Sequence, residues 1–355
     1  SLINKGVTER KGVAKIEEVF RVLEVFESIG IKTKWSGHNL TITPPKNFNL
    51  KNINAKSASK TRSIIMLIGS LIHHLQKFSL PQSGGCKLGA RTVRPHFIAL
   101  NTFGINIEVK EKSFDVSYKK LKPAEVIMAE ASDTATINAI LAASAIPKSS
   151  LIKYASANYQ VQELCHFLQL FGIVIEGIGT TTLHVTGVEN INKNVTYKMS
   201  EDPTDSMFFL ATAITTNSSI TIKRCPIDFL EKELLTLKLM NFKFKISKPY
   251  LAENQKTKLV DITTLPSKLV SPPEKIHALP YPGLNIDNLP FFAVIATKAR
   301  GTTLIHDFLY EKRALYYTEL DRLGATTVLA DPHRFYVTGP TNLRGVELVC
   351  PPALR

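Results

Sequence analysis

Cysteine is scarce in this chain of 355 residues: four are present, Cys86, Cys165, Cys225 and Cys350, at long and irregular spacing. They form no CxxC pair and no zinc-ligand spacing, and a chain this long has no need of a disulfide scaffold, so the reading is four reduced thiols. Long apolar runs are also missing. No stretch of eighteen apolar residues appears, and no charged n-region precedes an apolar h-region, which excludes a membrane span and an export signal and predicts a cytosolic protein. Acidic residues are in deficit, 30 against 44 Lys+Arg, for a formal net charge of +14. The basic residues are spread along the chain, with no arginine-rich arm, helix-turn-helix pattern or RNP-like aromatic segment, which argues against a nucleic-acid binder. They fit better a cleft that draws in a small polyanion. Trp35 is the only tryptophan. The adjacent His73 and His74 fall on a predicted helix and point different ways, so they make no metal pair; Gly177 and Gly179 read as a turn between strands, not a nucleotide fingerprint.

What is present is a repeat. Helices with apolar residues at helical spacing end at Gly30, Gly104, Gly172, Asn241 and Gly324, each followed by the alternating apolar residues of a strand. Glycine and asparagine suit the left-handed position just past a helix. The endings recur every 70 to 80 residues or so. Earlier in each block an all-round apolar helix (63–71, 136–143, 207–214, 291–297) feeds a short strand (150–153, 219–223, 303–306), and residues 1–4 match those strands. Apolar helices of this kind belong inside, behind sheets. The pattern predicts an α/β protein of two similar lobes, 1–200 and 201–355, built from repeated βαβαββ units. By the same pattern the chain starts in mid-block and stops just after a strand at 346–350, as a fragment trimmed at both ends would.

The densest chemistry lies in Ser83-Gly84-Gly85-Cys86-Lys87-Leu88-Gly89-Ala90-Arg91. Its glycines allow close backbone approach by a ligand, and Lys87 and Arg91 favour the thiolate of Cys86. Taken alone, the stretch also reads as a flexible surface hairpin. With the apolar helices and threefold lobes, Gly-Gly-Cys86-x-x-Gly-Ala-Arg91-x-Val resembles the enolpyruvyl transferases over essentially the whole chain, and specifically their cysteine-loop branch. The resemblance implies an inside-out α/β barrel fold and a reaction without metal or organic cofactor. In that reaction the enolpyruvyl group of phosphoenolpyruvate passes to the 3′-hydroxyl of UDP-N-acetylglucosamine, phosphate leaves, and material is committed to peptidoglycan.

It implies roles as well. Cys86 would be the general acid, able to add to phosphoenolpyruvate, and Asp287 the carboxylate that takes the hydroxyl proton. Arg62, Arg91, Arg313 and Arg355 match family arginines suited to a carboxylate and a phosphate, and Asp202 matches a family acid. Asp202 and Asp287 each also read as helix N-caps. The departures fall mostly on the acceptor side: Arg94 stands at a usual aspartate, Asp133-Thr134 at a Val-Gly pair, Asn158 at a glutamate and Ala353 at an aspartate. The family's Lys-Asn pair would precede residue 1. Two alternatives follow, a non-catalytic nucleotide-sugar-binding relative and an enolpyruvyl transferase with another acceptor. The expected assembly is a monomer.

Overall fold

The computed structural model describes residues 1–82, 84, 92–310 and 312–348. Cys86, Arg91 and Arg355, with Lys87, Cys350 and Ala353, lie outside them. The chain divides into two compact units, changing over between Met199 and Ser200; each has its own apolar core.

Local chemistry sets the block. Gly30, Gly104, Gly172, Asn241 and Gly324 all adopt positive φ, between 64° and 97°. After four of them the next N–H bonds the carbonyl five residues back: Ile31 to Phe26, Ile105 to Leu100, Phe242 to Leu237 and Ala325 to Leu320. That closes the helix and starts a strand in a new direction. The outer helix Glu17–Ser28 buries only Leu23 and Val25. In contrast, Asp133–Ala143 buries residues all round, Ala139 to Ala143 without a break. The first kind lies on a sheet's outer face and the second inside the unit, as their patterns require.

Three sheets share one order. In the first unit Glu125–Ile127 runs parallel to Ser149–Lys153, which pairs antiparallel with Thr182–Thr186, and that with Val174–Glu176. In the second unit Ile276–His277, Gly301–His306, Arg334–Gly339 and Thr326–Leu329 repeat it. The sheet of Thr8–Lys11, Asn39–Thr43 and Lys32–Ser36 takes its parallel strand, Val195–Lys198, from the far end of the first unit. The end of that unit thus closes on its beginning. Two further sheets are built on Lys77–Pro81 and Thr221–Pro226.

Three expectations change. Residues 1–4 form a turn, not a strand, because the buried Asn4 amide bonds Gly6 and both the N–H and C=O of Lys193. The helix expected over 63–71 splits into a 3-10 turn, Arg62–Met66, and a short α-helix, Leu67–Leu71. Buried Asn138 inserts into its ladder, donating to the Ile65 carbonyl and accepting from the Gly69 N–H, both at 3.0 Å. Residues 346–348, expected as part of a strand, pair with none, and Val346 and Leu348 remain exposed.

Candidate active site

Chain reversal gives every block the same geometry. A buried helix runs in, the next strand runs back, and so the helix N-terminus lies at the strand's carboxyl end. In the first unit the hydrogen bonds show this directly. Asp133, the first residue of Asp133–Ala143, accepts from the Ser156 hydroxyl and, at 2.9 Å, from Asn158 Nδ2, both just past strand Ser149–Lys153. Asn158 in turn caps Tyr159–Gln169 through the Tyr159 N–H. Asp133 and Asn158, two of the expected departures, are therefore partners across the two elements. A buried chain continues inward, from Asn138 Nδ2 to His96 Nδ1 at 3.0 Å, with Thr134 Oγ1 within 3.3 Å of His96 Nε2.

The cysteine stretch follows strand Lys77–Pro81 in the sequence. Two described residues beside it, Gly84 and Thr92, meet Ser59, just before helix Arg62–Met66, and Arg62, its first residue. A Cβ on Gly84 would fall 1.5 Å from the Ser59 carbonyl oxygen, so only glycine fits there. On the far side Arg62 Nη2 donates to the Thr92 carbonyl at 2.9 Å. Arg62 thus ties the Thr92 backbone to its own helix. Arg94 is exposed at the start of helix Arg94–Thr102.

In the second unit helix Pro203–Thr215 packs against the Ile286–Asn288 turn. Asp202 caps that helix, accepting from the Thr204 N–H at 2.8 Å, and lines a cleft of about 510 Å³ with Asp205, Ser206 and Arg224. Burial, and then the charge of Asp202, pushes the Asp205 carboxyl up. Arg224 bonds Glu201 at 2.6 Å. Asp287 is not a cap, contrary to its other reading. A 3-10 turn precedes the apolar helix Leu289–Ala296, so the capping role moves upstream to Asn285, whose Oδ1 accepts the Asp287 N–H at 2.9 Å. The Asp287 carboxylate itself has no hydrogen-bond or ion-pair partner among the described residues, and it is only partly buried.

Arg313 is no surface charge, being 3% exposed. Its Nε donates to Asp307 Oδ2 at 2.5 Å, the Tyr317 hydroxyl donates to the same oxygen at 2.7 Å, and the guanidinium lies 4.4 Å from the Tyr310 ring centroid. Burial alone would push this guanidinium's pKa down, but Tyr317 and Asp307 outweigh it and hold the pKa above the ordinary value. Arg313 Nη2 and Asp307 Oδ1 are buried and have no hydrogen-bond partner among the described residues. A buried donor without an acceptor is costly, and an anion arriving at Nη2 would supply one. Sequence reasoning missed Asp307 and Tyr317; the available signal was a carboxylate immediately after strand Gly301–His306, at the carboxyl end where the block puts its functional groups.

His73 and His74 meet different carbonyls, those of Leu141 and Leu2. Gly177 and Gly179, both with positive φ, lie in the turn between Val174–Glu176 and Thr182–Thr186.

Solved structures share this architecture. The enolpyruvyl transferase NikO from Streptomyces tendae superposes with a TM-score of 0.79 at 18% identity, over 96% of this chain and 78% of its own. EPSP synthase from Acinetobacter baumannii gives 0.67 at 17%, over 96% and 77%. Among curated proteins, UDP-N-acetylglucosamine 1-carboxyvinyltransferase of Treponema denticola is 31% identical over 345 residues, 96% of this chain and 79% of that protein. The enzyme of the same name from Borreliella burgdorferi is 29% identical over 96% and 78%. The model of the family described as EPSP synthase (3-phosphoshikimate 1-carboxyvinyltransferase) matches residues 1–351. With the repeated block, the all-round apolar inner helices and a sequence match along nearly its whole length, the chain belongs to the EPSP synthase family of enolpyruvyl transferases.

Proposed function

We propose that the protein transfers the enolpyruvyl group of phosphoenolpyruvate to the 3′-hydroxyl of UDP-N-acetylglucosamine, releasing phosphate, as its curated relatives are named for doing. The observation that carries the reading is the 26–31% identity to enzymes of that name over 96–99% of this chain. The Cys86 loop supports it, since the shikimate branch of the family is not expected to have that loop. The setting is the cytosol, as a monomer; no helix among the described residues is long and apolar enough to cross a membrane.

The chemistry divides the residues by role. The hydroxyl oxygen bonds to C2 of phosphoenolpyruvate while its proton goes to Asp287. Cys86 supplies the proton that C3 gains. The C3 methyl then returns a proton to the Cys86 thiolate as phosphate leaves from C2, which restores the double bond. Arg313, with its buried Nη2, Arg91 and Arg355 serve the carboxylate and phosphate as charge-assisted donors. Arg62 holds the Thr92 backbone, and Asp202 serves the acceptor side from its cap. The Asp133–Asn158 pair and Arg94 set this acceptor pocket apart from the usual family pattern.

A general base contributes roughly 10²–10⁴-fold to rate. Asp287→Asn should lose turnover by that factor while phosphoenolpyruvate binding and melting temperature hold, because the carboxylate caps nothing. Unchanged turnover per folded molecule would remove Asp287 from the mechanism.

A further inference from the structure

Glu233, on helix Glu231–Leu239, is a carboxylate with 1% exposure beside the core residues Leu234 and Leu237. A buried carboxylate needs a cation or hydrogen-bond donors. Among the described residues no lysine or arginine pairs with it. Its Oε1 instead accepts two N–H groups, the Asn285 backbone at 2.9 Å and Asn288 Nδ2 at 2.8 Å. Burial raises the Glu233 carboxyl above the usual range, and the bonds from Asn288 and Asn285 only partly offset it. A leucine would fill this space with no buried charge, but it would strand both donors.

Those donors bracket Asp287. Asn285 also holds the Asp287 N–H, and Asn288 is itself wholly buried, its Oδ1 without a partner among the described residues. A second tie joins the same two segments: the Tyr281 hydroxyl donates to the Asp228 carbonyl at 3.3 Å, and its ring lies 5.3 Å from that of Phe229. The segment leading to Asp287 is therefore fastened at two places to residues 228–233, and the nearer fastening is a single carboxylate oxygen.

We propose that Glu233 is a positioning residue for Asp287: it fixes the Asn285–Asn288 turn from behind and so aims the free Asp287 carboxylate at the acceptor hydroxyl. The catalytic half of this proposal rests on Asp287 being the base.

The test compares Glu233→Leu, Glu233→Gln and Asp287→Asn in the full chain, by hydrogen exchange at the 285–288 amides and by steady-state phosphate release. A glutamine oxygen can still accept both N–H groups, so Glu233→Gln should keep protection and most of the turnover. Glu233→Leu should lose protection of the Asn285 amide, and its kcat should fall roughly 10²-fold, the scale of an ångström's misplacement, with KM for phosphoenolpyruvate little changed. Unchanged exchange in Glu233→Leu overturns the proposal whatever the turnover. So does raised exchange with wild-type kcat when Asp287→Asn is inactive. An active Asp287→Asn instead overturns the reading of Asp287 as base, and the catalytic half of the proposal with it. Should Glu233→Leu not fold, Asn288→Ala removes one of the two donors and is read by the same measurements, with partial loss of protection and of kcat expected and no change in either contradicting the proposal.

Discussion

At the scale of single residues, environment separates groups of one type. Burial pushes the Cys165 thiol up to about 12 and also raises that of Cys225. Both are buried. Cys86 has Lys87 and Arg91 close by in the sequence, and positive charge beside a thiol favours the reactive thiolate. Brief iodoacetamide treatment with mass mapping should therefore label Cys86 ahead of Cys165 and Cys225; preferential labelling of either buried thiol would refute the assignment. Arginines differ in the same way. The family resemblance picks out Arg62 and Arg313, but only the folded chain distinguishes a brace on the Thr92 carbonyl from a buried guanidinium with one nitrogen lacking a partner among the described residues. Asp287 shows where local reading fails. An aspartate before an apolar helix looks like a cap, and the three-residue 3-10 turn that displaces the cap to Asn285 leaves no mark in composition.

Among the elements, what was legible in the sequence was whatever a backbone conformation demands. Positive φ just past a helix calls for glycine or asparagine, so five helix endings could be read directly. At Gly324, φ is +90° and an added Cβ would meet nothing nearer than 3.9 Å, so the strain of Gly324→Ala is purely conformational. It should cost about 1–2 kcal/mol, measurable by urea denaturation, and an unchanged midpoint would show that the left-handed turn is not needed. What was not legible depends on partners distant in sequence. Asn138 breaks the ladder between Ile65 and Gly69 from across the unit, and Glu233 reaches Asn285 and Asn288 from another block. No window of local sequence contains either pairing.

The whole molecule repeats one block, and its chemistry gathers where a buried helix begins and the following strand ends. Gly84, Asp133 with Asn158, and Asp307 with Arg313 all hold that position. Buried titratable groups also couple the fold to pH. Burial pushes His73 down to about 4 from an ordinary 6.5, so the unfolded chain binds a proton that the folded chain refuses between those values. Stability should be level above pH 6.5 with respect to this group and fall by up to about 3 kcal/mol on acidification toward pH 4. Urea denaturation of the wild type and His73→Gln at pH 7.5 and 4.5 checks this, the variant being expected to lose less on acidification; equal losses would rule His73 out as the cause.

The acceptor separates the branches of this family. Phosphate release from phosphoenolpyruvate by the full chain, measured side by side with UDP-N-acetylglucosamine and with shikimate 3-phosphate, tests its identity most directly. Release is expected with the nucleotide sugar, and none above background with shikimate 3-phosphate. Release with shikimate 3-phosphate alone would keep the fold and overturn the function, and release with neither would make the protein a binding-only member of its family.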